Sequence, residues 1–158
     1  MSRYRVLIFL LSALLSSPSW ANDALYVQTV KKPFQETYTA LYEALEANKF
    51  FVIFEPQIGK NMARFQERWG EDYNRNKLEN IRSLVFCNVW YTNQLSNLDP
   101  YQLSVCPLSI SLYHKKGEST VVFRKPTTTA ADSPALPLLK ELEADIIKAI
   151  KVGLTDKK

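Results

Sequence analysis

A predicted β-hairpin limits the folds open to this chain more than any other feature does. From Leu108 to His114, apolar Leu, Ile and Leu alternate with Ser, Ser and Tyr, which is the period-two pattern of a half-buried strand. Lys115 to Glu118 predicts a tight turn, and Ser119 to Phe123 predicts the returning strand. Because the apolar face of a hairpin has to be covered, we expect an antiparallel sheet backed by helices.

The other segments supply helices and further strands around this hairpin. Apolar residues at helical spacing predict four helices, which cover Pro33–Asn48, residues 60–69, Tyr91–Leu98 and a C-terminal segment that ends at Gly153. β-branched and aromatic residues predict three more strands, at Leu25–Val30, Phe50–Phe54 and Ile81–Val89. The continuous apolar run of Phe50–Phe54 is typical of a strand that is buried on both faces. The order β-α-β-α-β-α-β-β-α therefore predicts an α+β fold with a mainly antiparallel sheet.

The scarcity of glycine restricts the functions that such a fold can carry. The sequence has four glycines and contains no Gly-rich loop of the kind that binds phosphate at the start of a helix. A doubly wound nucleotide-binding fold is therefore excluded. Residues 70–80 are polar and charged, which predicts a surface loop rather than a linker between two domains.

The N-terminus has the three-part pattern of an export signal over residues 1–21. Two arginines precede the apolar run Val6–Leu15, and small residues lead to a cleavage point between Ala21 and Asn22. As a helix, this run spans about 15 Å, which is half of the roughly 30 Å hydrocarbon core of a bilayer. The sequence therefore predicts a periplasmic or secreted protein whose single α+β domain covers residues 22–158.

The charge of the chain argues against nucleic acid and membrane partners. Removal of the signal with its two arginines lowers the formal net charge from +4 to +2. A nearly neutral domain has no long-range attraction for nucleic acid or for anionic lipid. No later apolar stretch is long enough to span a bilayer, so we expect no membrane span after signal cleavage.

The two cysteines of the chain, Cys87 and Cys106, are candidates for a disulfide. Export places them in an oxidising compartment, where a single pair favours an intramolecular bridge. Two other interpretations stay open: a pair of buried free thiols, or a thiolate pair that handles copper or sulfur species, with His114 or Met62 as a further ligand. No C-x-x-C motif is present, which argues against a thioredoxin-like role.

The sequence contains no recognisable catalytic constellation. His114 is the only histidine, lies at the end of the hairpin strand and has no identifiable partner to orient it as a base. A serine nucleophile would need that histidine, and no G-x-S-x-G motif occurs. The sequence therefore predicts no catalytic residue, no cofactor and no resident metal, and it favours a protein that is not an enzyme.

Aromatic residues near predicted loops are candidates for a binding surface. Trp69, Tyr73, Trp90 and Tyr91 either line a pocket or a dimer contact, or pack as a small satellite core. Trp90 and Tyr91 directly follow the end of the strand that contains Cys87, so any ligand cleft is expected there. The candidate ligand contacts are Asn88, Trp90, Tyr91 and His114.

The segment from Leu84 to Gly117 resembles the domain of unknown function 302 family. It combines Phe86-Cys87-Asn88 at a strand end, a short helix, Asp99-Pro100, a Leu-x-x-Cys-Pro stretch and an alternating strand with a Gly turn. The resemblance extends over residues 25–152, although Val89 stands where the family has proline. It implies a fold like that of the TATA-box-binding protein, a curved antiparallel sheet backed by helices and often dimeric, with no assigned activity and no DNA binding.

Taken together, the sequence predicts an exported, non-enzymatic binding or interaction module. We expect a homodimer with an unknown small ligand or protein partner, braced internally by a Cys87–Cys106 disulfide. The alternative is a periplasmic protein that handles copper or sulfur species through the same two cysteines.

Overall fold

The computed structural model describes residues 23–155, and their strands form one antiparallel sheet of five. The sheet order is β1-β5-β4-β3-β2, so the predicted hairpin, β4 and β5, lies in its interior. The strands are β1 (Leu25–Val30), β2 (Phe51–Phe54), β3 (Glu79–Cys87), β4 (Leu108–Lys115) and β5 (Glu118–Arg124). The predicted signal segment, residues 1–21, lies outside the described residues.

Helices accompany this sheet, which confirms the predicted α+β class. They are α1 (Phe34–Ala47), α2 (Ile58–Ala63), α3 (Gln66–Trp69), α4 (Val89–Leu98) and α5 (Leu136–Leu154). The helix predicted over residues 60–69 is thus two short helices. Short 3-10 turns occupy Gly70–Asp72, Pro100–Val105 and Pro126–Thr129. In residues 23–155, no helix is long and apolar enough to cross a membrane.

The core lies between one face of the sheet and the two long helices α1 and α5. Alternate residues of the three inner strands point to this face, as the period of two requires. They are Leu84, Phe86, Ile110, Leu112, Val121 and Phe123, all almost completely buried. Their helical counterparts are Leu41 and Leu45 on α1, and Leu139, Ile146 and Ile150 on α5. Burial of each such side chain contributes about 1.5–3 kcal/mol, so this layer fixes the register of the inner strands.

The position of β2 contradicts the prediction that Phe50–Phe54 is buried on both faces. β2 lies at the edge of the sheet, and Ile53 and Phe54 are 62% and 65% exposed. Only Phe50, directly before the strand, is fully buried. An apolar run shows that a strand forms, but it does not show whether a neighbour pairs on both sides, and that decides burial.

Gly153 does not end the C-terminal helix as the sequence predicts. It lies inside α5, which continues to Leu154. A Cβ atom at Gly153 would lie 2.9 Å from the carbonyl oxygen of Ala40 and 3.1 Å from the Cα atom of Leu41. The missing side chain therefore lets α1 and α5 approach closely, so this glycine is needed for packing and not for a turn.

Candidate functional site

The two cysteines meet where β3 ends and β4 begins. Cys87 is the last residue of β3 and Cys106 precedes β4, and antiparallel pairing of Phe86 with Leu108 brings them together. They are joined as a disulfide with a Cα–Cα distance of 5.8 Å, inside the usual range. The hydroxyl oxygen of Thr92 lies 3.1 Å and 3.0 Å from the two sulfur atoms. This arrangement fits the predicted brace between two sheet elements.

Asn88 and Tyr91, two of the predicted ligand contacts, make structural contacts inside the protein. The Asn88 side-chain oxygen accepts hydrogen bonds from the backbone N–H groups of Trp90 and Tyr91 at 3.0 Å and 3.1 Å, which caps α4. The buried Tyr91 hydroxyl donates to Asp145 at 2.7 Å. Burial, and then the nearby carboxylates of Asp145 and Glu141, raise the pKa of Tyr91.

The predicted cleft beside the cysteines has no room for a ligand in this structure. Residues around Cys87, Tyr91 and Cys106 enclose a cavity of about 10 Å³, no larger than one water molecule needs. Trp90 stays 53% exposed, with the edge of its ring against Tyr91. As ligand contacts these residues stay a prediction, which would require α4 to move.

His114 lies at the opposite end of the sheet from the disulfide. Its Nδ1 atom is 3.0 Å from the hydroxyl of Ser119, and Ser119 donates to the carbonyl of Lys32. His114 pairs with Glu79 at the start of β3, whereas Cys87 ends that strand. Glu79 and Cys87 are eight residues apart, so the rise of a β-strand separates them by about 26 Å.

The alternative metal site of Cys87, Cys106, His114 and Met62 therefore does not assemble. Met62 lies on α2, beside the start of β3 and far from the cysteines. Within residues 23–155, no three or more His, Cys, Asp or Glu side chains are placed to hold a metal ion. Sequence spacing could not reveal this, because it gives no distance between elements that are remote in the chain.

A second cavity, of about 370 Å³, lies between α2, the loop after α3 and the start of β3. We call it the α2 pocket. Polar side chains dominate its lining, namely Gln57, Lys60, Tyr73, Asn74, Asn80 and Arg82. The helix packs closely on the strand here, because a Cβ atom at Gly59 would lie 3.1 Å from the backbone nitrogen of Ile81.

The loop that closes the α2 pocket is held by its own polar groups. The Asn74 side chain donates to the carbonyl of Leu78 at 2.8 Å and accepts from the Leu78 N–H at 2.9 Å. Asn74 and Asn80 have positive φ angles of 43° and 48°, a conformation that asparagine adopts more readily than most residues. The predicted surface loop at 70–80 is therefore an ordered wall of the pocket.

Arg82, which lines the α2 pocket, is a charged residue on the core-facing side of β3. It lies on the same face of β3 as the buried Leu84 and Phe86, and its guanidinium carbon is 5.0 Å from the ring centre of Tyr38 and 6.0 Å from that of Phe34. The Tyr38 hydroxyl donates to the carboxylate of Glu55. Burial, followed by the hydrogen bond to Glu55, raises the pKa of Tyr38. In the described part of the chain, no carboxylate lies at ion-pair distance from Arg82.

Of the four aromatics predicted as a binding surface, Tyr73 lines this pocket and Trp69 lies next to it, whereas Trp90 and Tyr91 lie on α4. Trp69 stacks on Phe65 at 5.2 Å between ring centres and lies 6.5 Å from Tyr73, which lines the α2 pocket. Arg82 is not among the candidate residues predicted above, although the alternation of β3 contains the signal for it. Positions 82, 84 and 86 share one face, so the arginine replaces an apolar residue in a core-facing series.

Comparison with known proteins identifies a similar solved structure and the family of the chain. The chain is similar to a crystal structure of an uncharacterized conserved DUF302 protein from Bacillus stearothermophilus, with a TM-score of 0.64 and 24% sequence identity. That similarity covers 84% of this chain and 96% of the other. No curated protein matches the sequence. The model of the family described as "Domain of unknown function DUF302" matches residues 26–152, and the chain therefore belongs to the DUF302 family.

Proposed function

We propose that this protein is an exported binding module, and that its α2 pocket receives a small anionic ligand. One observation supports the choice of ligand more than any other. Arg82 is half-buried, is held against two aromatic rings, and has no carboxylate partner within residues 23–155. An arginine in such a position is ready to bind a carboxylate or phosphate group with two parallel hydrogen bonds.

The rest of the pocket fits the same class of ligand. Lys60 adds a second positive charge, no acidic side chain lines the cavity, and Gln57 and Asn80 contribute amide groups. A volume of about 370 Å³ lies within the range of small-molecule sites, about 300–1,000 Å³. The rings of Phe34 and Tyr38 stabilise the guanidinium plane through cation–π contacts, so less side-chain freedom is lost on binding.

The alternative function, handling of copper or sulfur species, has weaker support. It requires free thiolates at Cys87 and Cys106, whereas these residues are bonded to each other. The two additional ligands that it would use, His114 and Met62, lie elsewhere in the fold. A binding role for the α2 pocket needs no such rearrangement.

Replacement of Arg82 by glutamine is expected to weaken anion binding about tenfold or more, because a charge-assisted hydrogen bond contributes about 1.5–3 kcal/mol. Titrations followed by NMR would use inorganic phosphate and small mono- and dicarboxylates as probes. The matched control is Arg124→Gln, which removes an exposed arginine at the end of β5. Equal affinities for the two variants, or no saturable binding of any probe to the unchanged protein, would contradict the anion site.

Export has its own test. In a bacterial host, we expect the protein from the periplasmic fraction to have an intact mass that begins at Asn22, because the signal peptidase removes residues 1–21. The variant Leu11→Arg places a charge in the apolar run and should stay in the cytoplasm at full length. Recovery of the unchanged chain uncleaved from the cytoplasm would refute the proposal.

A further inference from the structure

A row of three aromatic rings leads from the surface of the protein to the wall of the α2 pocket. Phe65 and Trp69 stack with 5.2 Å between their ring centres, and Trp69 lies 6.5 Å from Tyr73, which lines the pocket. We infer that the α2 pocket takes an organic carboxylate or phosphate with a planar aromatic ring, and that this ring stacks on Tyr73. The inference rests on the proposed anion site and names the class of its ligand.

The size of the pocket indicates a ligand with more than an anionic group. A phosphate or carboxylate group is only a few times larger than a water molecule, whose share of liquid volume is about 30 Å³. The cavity has a volume of about 370 Å³, so such a group at Arg82 leaves most of the space open. Met62 and Leu78 also line the cavity, and an apolar lining with a few polar groups is typical of sites for organic molecules.

The exposure of the aromatic row favours a binding surface over a satellite core. Phe65 is 44% exposed and Trp69 is 41% exposed, whereas side chains that form a small core lose most of their contact with water. Large apolar side chains that stay exposed next to one another commonly mark a place where a ligand or a partner binds. Because the row ends at Tyr73, in the lining of the pocket, the ligand of the pocket is the occupant that these rings favour.

Two hydrogen-bonded turns hold Tyr73 in place. Its backbone N–H donates to the carbonyl of Gly70 at 3.1 Å, and the next residue, Asn74, bonds through its side chain to both backbone groups of Leu78. A tyrosine that is held in this way offers a large flat surface and loses little side-chain freedom when a ligand binds. A second aromatic ring gains affinity there through a stacked or edge-to-face contact, beyond the area that it buries.

The polar lining favours an aromatic ring over a sugar as the organic part of the ligand. Sugar hydroxyls donate hydrogen bonds that carboxylates accept most strongly, and none of the described residues that line the pocket is acidic. The Asn74 amide is already bonded to the backbone of its own loop, so Gln57 and Asn80 remain as the amides of the lining. The charges of Lys60 and Arg82 disfavour a cationic ring.

Titrations followed by NMR compare inorganic phosphate, phenyl phosphate and cyclohexyl phosphate. The two organic phosphates have the same charge and nearly the same size, but only the phenyl ring is planar and aromatic. We expect phenyl phosphate to bind about three- to tenfold tighter than cyclohexyl phosphate, which is the gain from one aromatic contact. Benzoate and cyclohexanecarboxylate form the corresponding pair of carboxylates.

Two variants of Tyr73 test whether this ring provides the preference. Tyr73→Leu should make phenyl and cyclohexyl phosphate bind equally, whereas Tyr73→Phe keeps a ring and should keep the preference. The matched control is Tyr101→Leu, which removes a tyrosine that is 88% exposed in the 3-10 turn at Pro100–Val105 and should leave the preference intact. Circular dichroism reports whether each variant is folded. If Tyr73→Leu weakens inorganic phosphate as much as phenyl phosphate, Tyr73 only shapes the pocket and the inference is wrong.

The remaining outcomes distinguish this inference from the proposed function. If Arg82→Gln weakens the binding of inorganic phosphate but neither aromatic probe binds tighter than its cyclohexyl counterpart, the anion site stands and the aromatic ligand class is wrong. The same holds if Tyr73→Leu keeps the preference, or if ribose 5-phosphate binds more tightly than phenyl phosphate. If no probe binds saturably, inorganic phosphate included, the proposed anion site fails and this inference fails with it.

Discussion

Replacement of Phe86 by alanine is expected to lower the free energy of unfolding by about 3–5 kcal/mol. Phe86 is fully buried on β3, and its ring meets that of Phe50 edge to face at 6.0 Å between centres. Its removal leaves a cavity between the sheet and the helices, which the interior strand cannot close by moving. Since small domains have a total stability of about 5–15 kcal/mol, this single change would remove a large fraction of it. Urea denaturation followed by circular dichroism measures the loss.

The matched control is Phe54→Ala on the neighbouring strand. Phe54 is 65% exposed, so its truncation should change the stability by no more than about 0.5 kcal/mol. The comparison decides between the edge position of β2 and the buried strand that its apolar sequence predicts. If Phe54→Ala costs as much as Phe86→Ala, β2 is covered in solution and the edge assignment is wrong.

Replacement of both cysteines by serine is expected to lower the free energy of unfolding by about 3 kcal/mol, because the bridge closes a loop of about 20 residues in the unfolded chain. The loop contains α4 and the 3-10 turn at Pro100–Val105, which have few other attachments to β3. Urea denaturation of the double variant Cys87→Ser/Cys106→Ser should give a lower midpoint. Reductant should shift the midpoint of the unchanged protein and leave that of the variant in place.

Mass spectrometry separates this brace from reactive thiols. Without reductant, the exported protein should have the mass of the chain from Asn22 minus two hydrogens, and it should resist alkylation. Thiols that are alkylated in the native protein, together with equal stability of the variant, would contradict the brace. That outcome would favour the alternative in which Cys87 and Cys106 handle copper or sulfur species.

The fold was largely predictable because its elements have clear periods. The hairpin of β4 and β5 and the helices α1 and α5 each present a regular apolar face, and β1 is rich in β-branched and aromatic residues. All of these elements are found within a few residues of their predicted bounds. The predictions that were wrong concern what packs beside a strand or helix, and not whether that strand or helix forms. The burial of β2 depends on what pairs beside it, and the role of Gly153 depends on α1, which is remote in sequence.

The candidate site was less predictable for a related reason. A bridge between Cys87 and Cys106 was one of three interpretations, favoured by the expected export and by the number of cysteines, and the structure places their Cα atoms 5.8 Å apart. The α2 pocket instead depends on how α2 and the loop after α3 lie over β3, and these segments have weak periodicity. The sequence shows that Arg82 is a charged residue in a core-facing series. It does not show that Arg82 stacks on Phe34 and Tyr38 or that it borders a cavity.

The sequence by itself determined the secondary structure, the single pair of cysteines and the absence of a nucleotide-binding loop, because these depend on local pattern and residue count. Only the tertiary structure decided which strands lie at the edges of the sheet, and where a cavity remains beside an arginine that has no carboxylate partner within residues 23–155. Those features arise from contacts between residues far apart in the chain, and local periodicity does not encode the distances between them.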